Sequence, residues 1–226
     1  MRAGDNLVPE VLALAGRLGA TCAGRRSGVE LSLVGELQKA GQASEPLKAT
    51  HTIDIQKVGF VSRAALGDTS AIFVSNALVD GCSQCNCSSN VVLLNRRDGQ
   101  TKRRLHEYAI CYLLSLPWVP DAIVSNSALR WTVSDEYTIR VHVQVVELVA
   151  EVILQLDRDG LIRSAYALKL TAESTTVKID GAWRVRFSSY QSHGGQMIPL
   201  DCECVYGRRV GDVHVYKINV IDRRVY

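Results

Sequence analysis

The chain has 226 residues, 47% of them hydrophobic, a mean hydropathy of +0.04 and a net charge of +3. That supplies apolar material for one substantial core, and all-β units of roughly 200–250 residues commonly fold as a single domain. No run of about 18 apolar residues offers a membrane span, and the charge is ordinary, without the clustered basic residues that mark a nucleic-acid binder.

The basic residues fall in short groups, Arg25-Arg26, Lys102-Arg103-Arg104 and Arg223-Arg224, which read as solvated surface. Residues 7–18 are partly apolar, but Pro9, Glu10, Gly16 and Arg17 interrupt them and Asp5 precedes them. They do not make a signal peptide, so the expected compartment is the cytoplasm. The seven cysteines are an odd number and are then expected as reduced thiols.

A first helix is expected after Asn6, with Pro9 and Glu10 in its opening turn, an apolar stripe of Val11, Leu12, Leu14, Ala15 and Leu18, and Gly19 at its end. Alternation of apolar and polar residues then marks strands over 29–34, 50–58, 59–64 and 71–79. Residues 82–90 are small, polar and cysteine-rich, and read as a loop. Residues 102–116 repeat Leu105, Tyr108, Ala109, Tyr112, Leu113 and Leu116 at helical spacing, and Pro117 and Pro120 end that helix.

From residue 129 the chain reads as a meander. In the stretch 137–148, Tyr137, Ile139, Val141, Val143 and Val145 share one face, and Thr138, Arg140, His142 and Gln144 share the other. Asp157 to Gly160, Asp180-Gly181 and His193-Gly194-Gly195 are hairpin signals between later strands. The expected fold is mainly β: one domain over 1–226, a strongly curved antiparallel sheet (half-barrel or open barrel), with the N-terminal helix and the central helix covering the concave face. Such a hollow makes a pocket that is mostly apolar with a few polar groups.

In chain order, Leu7-Val8-Pro9-Glu10-Val11, Gly59-Phe60-Val61, a helix running into Trp118-Val119-Pro120, Arg130-Trp131, Asp157-x-Asp159-Gly160, and then Trp183, Phe187, Tyr190, Pro199 and Glu203 resemble the bacterial DUF6544 family (also DUF6920). The resemblance implies a curved antiparallel sheet like that of the LolA-type lipoprotein carriers, and implies no activity. The family tends to carry tryptophan after Gly-Phe-Val, where this chain has Ser62. It also tends to carry a glutamate on the helix before Trp-x-Pro, where this chain has Ser115. Smaller side chains at both places imply a larger cavity and a bulkier ligand.

Cys82-x-x-Cys85-x-Cys87 has soft-metal spacing, and Cys202-x-Cys204 would have to meet it to complete a zinc site. Two residues apart on a strand, Cys202 and Cys204 read instead as small hydrophobes, and neither a metal nor another cofactor is expected. The five histidines are scattered, with no metalloprotease pair or nucleophile elbow. The aromatic residues are the better clue. Trp118, Trp131, Trp183 and Phe187, with Arg130, are the expected ligand-binding set, and Tyr190 and Glu203 the expected catalytic groups. Glu203 sits between Cys202 and Cys204, where an inward carboxylate would be desolvated.

These residues lead to a cofactor-free pocket protein for an apolar small molecule. As an enzyme it would be a cyclase or isomerase of a biosynthetic pathway, acting by folding its substrate; the alternative is a carrier of a lipid-like ligand. No nucleic-acid partner is expected, and a homodimer stays open.

Overall fold

The period-two stretches hydrogen-bond side by side into one strongly curved antiparallel sheet. The computed structural model describes residues 7–22, 24, 26–39, 41–67, 72–79, 82–89, 93–94, 102–145, 147–167, 182–209 and 212–226, without the side chains of 72–75, 82–89, 93–94, 102–104, 182, 207–209 and 212–213. Helix α1 (Pro9–Arg17) leads into β1 (Gly28–Lys39), β2 (Glu45–Asp54), β3 (Phe60–Leu66), β4 (Ile72–Val79), β5 (Cys82–Ser89) and β6 (Leu93–Leu94). Helix α2 (Lys102–Leu114), a 3-10 turn (Leu116–Trp118) and α3 (Pro120–Ser125) follow. The meander is β7 (Arg130–Asp135), β8 (Thr138–Val145), β9 (Leu148–Leu156), β10 (Ile162–Ala167), β11 (Ala182–His193), β12 (Gln196–Arg209) and β13 (Asp212–Val225).

The strand order is β6-β5-β4-β3-β2-β1-β13-β12-β11-β10-β9-β8-β7. The first strand therefore pairs with the last, and β6 and β7, adjacent in sequence, are the two outer edges of the sheet. To pass from one edge to the other, the chain carries α2 and α3 across the hollow. The cover of the concave face follows from this connectivity. Helix α2 buries Leu105, Ala109, Ile110, Tyr112 and Leu113, packing chiefly on β8 and β9 and also touching β4, β5 and β10.

Several local expectations are revised. The cysteine-rich stretch is not a loop: its backbone pairs with β4 from Val79↔Cys82 to Ile72↔Ser89. A ladder satisfies backbone groups whatever the weak strand preference of Ser, Asn and Gln. The metal expectation for Cys82, Cys85 and Cys87 concerns side chains outside the described ones. The central helix stops at Leu114, tightens into the 3-10 turn, and resumes at Pro120, which opens α3 because its missing N–H would have no helical partner there. Tyr137 lies in a turn and is exposed, while Ile139, Val141 and Val143 are buried as the alternation requires. Asn6 and the turn at Asp180-Gly181 fall outside the described residues; α1 begins after Val8, with Pro9 in its first turn and no side-chain cap.

Curvature has a local cause. A register shift between Ser32 and Leu33 breaks the β1–β13 ladder, and such irregularities bend a strand. Three residues on, a Cβ at Gly35 would lie 1.9 Å from the Lys217 carbonyl oxygen, so only glycine allows this approach.

The helical cover is pinned by one buried carboxylate. Asp121, at the start of α3, accepts from the Thr21 N–H (2.7 Å) and the Gln196 amide (2.5 Å) on one oxygen and from Arg26 (3.0 Å) on the other. Arg223 donates to Gln196 and, at 3.3 Å, to the Trp118 carbonyl. Arg26 thus ties α3 to the segment before β1, and Gln196 and Arg223 link it to β12 and β13, so neither arginine serves as free surface charge. Tyr112 closes the other side, donating to the Asp54 carbonyl at 3.2 Å and accepting from Asn126 at 2.7 Å.

Candidate functional site

The apolar interior is divided. Most buried residues form one cluster around the helices, but Leu37, Leu47 and Leu66 form a second, with Tyr216 and Ile218 packed against both. Between them lies a cavity of about 270 Å³, walled by β1–β4 and β11–β13 and roofed by the end of α2 and the 3-10 turn. It is an interior surface that the helical cover does not fill.

Register explains its lining. Val185, Cys204, Tyr216 and Leu37 form one cross-strand row. Cys202, Ile218, Gly35, Leu47 and Leu66 form the next. Trp118 and Trp183 complete this greasy wall. Burial pushes the thiols of Cys111 and Cys202 up to about 12 and that of Cys204 well above its ordinary value, so all three stay neutral at physiological pH. They act as small hydrophobes.

One end of the cavity is polar. His51, Ser62 and Asn76 stand opposite one another on β2, β3 and β4. Ser115, just past the last turn of α2, meets them: its hydroxyl lies 3.1 Å from His51 Nε2 and donates to the Cys111 carbonyl at 2.8 Å. Asn76 accepts from the Tyr108 hydroxyl at 2.8 Å. His51 also packs on Phe60, ring centroids 5.3 Å apart. Burial away from any countercharge lowers its pKa to about 4, so the ring is neutral near pH 7. Among the described residues, no Lys, Arg, Asp or Glu lines this cavity.

The residues expected from sequence divide between the cavity and other places. Trp118 and Trp183 line it. The Trp118 indole donates to the Pro199 carbonyl at 2.9 Å and meets Phe187 edge-on at 5.6 Å; Trp183 stacks on Tyr206 at 4.1 Å. Phe187 is core that braces Trp118. Trp131 packs on the core from β7, away from the cavity, and its buried N–H has no partner among the described residues. Arg130 is exposed and donates to the carbonyls of Ser127 (2.6 Å) and Leu129 (3.1 Å). Tyr190 donates to the Ile162 carbonyl at 2.7 Å, and burial pushes its phenol far above its ordinary pKa.

Glu203 lies on the convex face, not inward. It continues a charge row Arg186↔Glu203↔Lys217↔Glu36 across β11, β12, β13 and β1. Arg186 and Glu203 are 3.5 Å apart, and Lys217 and Glu36 3.6 Å. Alternation sends Cys202 and Cys204 to the cavity and Glu203 to solvent. His51 and Asn76 were the missed residues; Ser62 and Ser115 were read as openings in the cavity and not as polar groups of its lining. A usable signal existed for His51: residues 47, 49, 51 and 53 read Leu, Ala, His, Ile, which places a histidine in an apolar row.

The model of a family of unknown function, DUF6544, matches residues 17–218. The chain belongs to this family. Ser62 and Ser115, the two positions where the resemblance implied larger side chains, both line the cavity. No curated protein matches the chain. Among solved structures, it is similar to a LolA superfamily protein from Nitrosomonas europaea, with 9% identity over 95% of this chain and 92% of that one and a TM-score of 0.44. Among the described residues, no helix is long and apolar enough to cross a membrane.

Proposed function

We propose that this DUF6544 protein binds an apolar small molecule in the cavity beneath α2 and acts as its carrier. The carrying observation is the cavity itself: an apolar wall of Leu37, Leu47, Trp118, Trp183, Tyr216 and Ile218 around space that no side chain among the described residues fills. An unfilled apolar surface costs stability relative to a packed one, and a ligand recovers those contacts. A cavity of 150 Å³ accepts benzene, so 270 Å³ suits a molecule of roughly ten carbon atoms. Serine at positions 62 and 115 supports this reading, because an indole or a carboxylate side chain there would occupy the same space.

The cyclase or isomerase reading draws no support from Tyr190 and Glu203. The first has its proton committed to a backbone carbonyl, and the second is on the outer face in an ion pair. The test is titration with the environment-sensitive dye 1-aminonaphthalene, whose ten carbons match the cavity. Saturable, blue-shifted fluorescence is expected, and Ala64→Trp, which fills the cavity from β3, weakens it at least ten-fold while far-UV dichroism is kept. Dye binding that ignores Ala64→Trp would place the ligand elsewhere.

A further inference from the structure

The polar end of the cavity selects the head group of the ligand; this inference rests on the binding reading above. Ser115 has one hydroxyl proton, and it goes to the Cys111 carbonyl. The contact between Ser115 Oγ and His51 Nε2 is then a hydrogen bond only if Nε2 carries the ring proton. That leaves Nδ1 as a bare acceptor. The ring is 9% exposed, its opening is the cavity, and Nδ1 has no partner among the described residues.

The neighbours complete the set. Asn76 Oδ1 is taken by Tyr108, which leaves the amide N–H groups of Asn76 as donors with no partner among the described residues. Ser62, between His51 and Asn76 in the cross-strand row, offers a hydroxyl that can do either. Acceptor, hydroxyl and donor thus stand side by side, all uncharged, at the end of an apolar chamber.

We propose that the ligand is an uncharged amphiphile, a medium-length apolar chain ending in a hydroxyl group. The hydroxyl donates to His51 Nδ1 and accepts from Asn76 or Ser62, and the chain runs toward Trp183 and Tyr216. A carboxylate in this place sets its charge against a bare acceptor with no cation in the described wall. An ammonium gives up its water with no anion to replace it. Both are costly in an apolar site.

The experiment displaces 1-aminonaphthalene, uncharged at this pH, at pH 8 with a matched series: 1-decanol, decanoate and decylamine. Decanol is expected to displace the dye at least ten-fold more tightly than either charged compound. His51→Leu removes the acceptor and brings decanol down about ten-fold, the worth of one buried hydrogen bond of about 1.4 kcal/mol. Ser62→Ala, at a half-buried strand position, weakens decanol a few-fold and serves if His51→Leu does not fold. Decanoate displacing the dye as tightly as decanol, or decanol affinity unmoved by these variants, overturns the head-group assignment alone. Failure of the dye to bind overturns the cavity reading and this one with it.

Discussion

Acidification is expected to weaken this fold chiefly through the His51 imidazole, and the size of the effect follows from where that ring sits. His51 has a folded-state pKa of about 4 against an ordinary 6.5, because it is enclosed by Phe60, Ser115 and the apolar wall. Between those two values the unfolded chain binds a proton that the folded chain refuses. Stability is therefore fully present above pH 6.5 and is lost as pH falls toward 4. At 1.36 kcal/mol per unit, the loss assigned to His51 is about 3 kcal/mol. His106, also buried and lowered in pKa by desolvation, adds in the same direction. Comparison with His51→Gln isolates the first term, since a glutamine amide can still donate to Ser115 and does not titrate. Urea unfolding followed by tryptophan fluorescence at pH 7.5, 6, 5 and 4.5 gives both curves. The stability difference between wild type and variant should shrink by roughly 2–3 kcal/mol across that range. Parallel curves would refute the buried, neutral state of His51 and with it the uncharged character of the site.

Asp121→Ala removes the carboxylate shared by Thr21, Arg26 and Gln196 and strands its partners; a loss of about 3 kcal/mol is expected. For a chain of this size that lowers Tm by roughly 6–12 °C in a calorimetric scan. Glu203→Gln should change stability by less than about 1 kcal/mol in the same scan, because its ion pair with Arg186 is exposed. Gly35→Ala forces a methyl against the Lys217 carbonyl and should cost about 2 kcal/mol by urea titration, with the sheet's dichroism altered. Tyr190→Phe and Glu203→Gln should each leave dye affinity within two-fold; a ten-fold loss in either would return those residues to the ligand's neighbourhood.

Sheet and cover were legible in the sequence because they rest on periodicity. Ile139, Val141 and Val143 alternate into the core, and Leu105, Ala109, Tyr112 and Leu113 bury one helical stripe, as their spacing requires. The strand at residues 82–89 was not legible, since Ser, Gln, Asn and Cys alternate without contrast and only pairing with β4 makes them a strand. The site was half legible. Trp118 and Trp183 stand in the cavity wall, but the polar end is assembled from β2, β3, β4 and the residue that follows α2, segments that no local pattern relates. Glu203 shows the opposite error: two flanking cysteines suggested an apolar setting, yet on a strand the neighbours in sequence occupy the other face. Asp121, the carboxylate on which the helical cover depends, is one acidic residue in a short helix and carries no mark in the sequence.

The most direct test of the binding account is a crystal of the protein grown with 8-bromo-1-octanol, a neutral chain alcohol of about the length the cavity accepts, and a map of the bromine's anomalous signal. The account predicts a single bromine peak near Trp183 and Tyr216, with the hydroxyl density at His51 and Asn76. A bromine on the convex face, or a chamber closed by the surrounding side chains in the crystal, would contradict it.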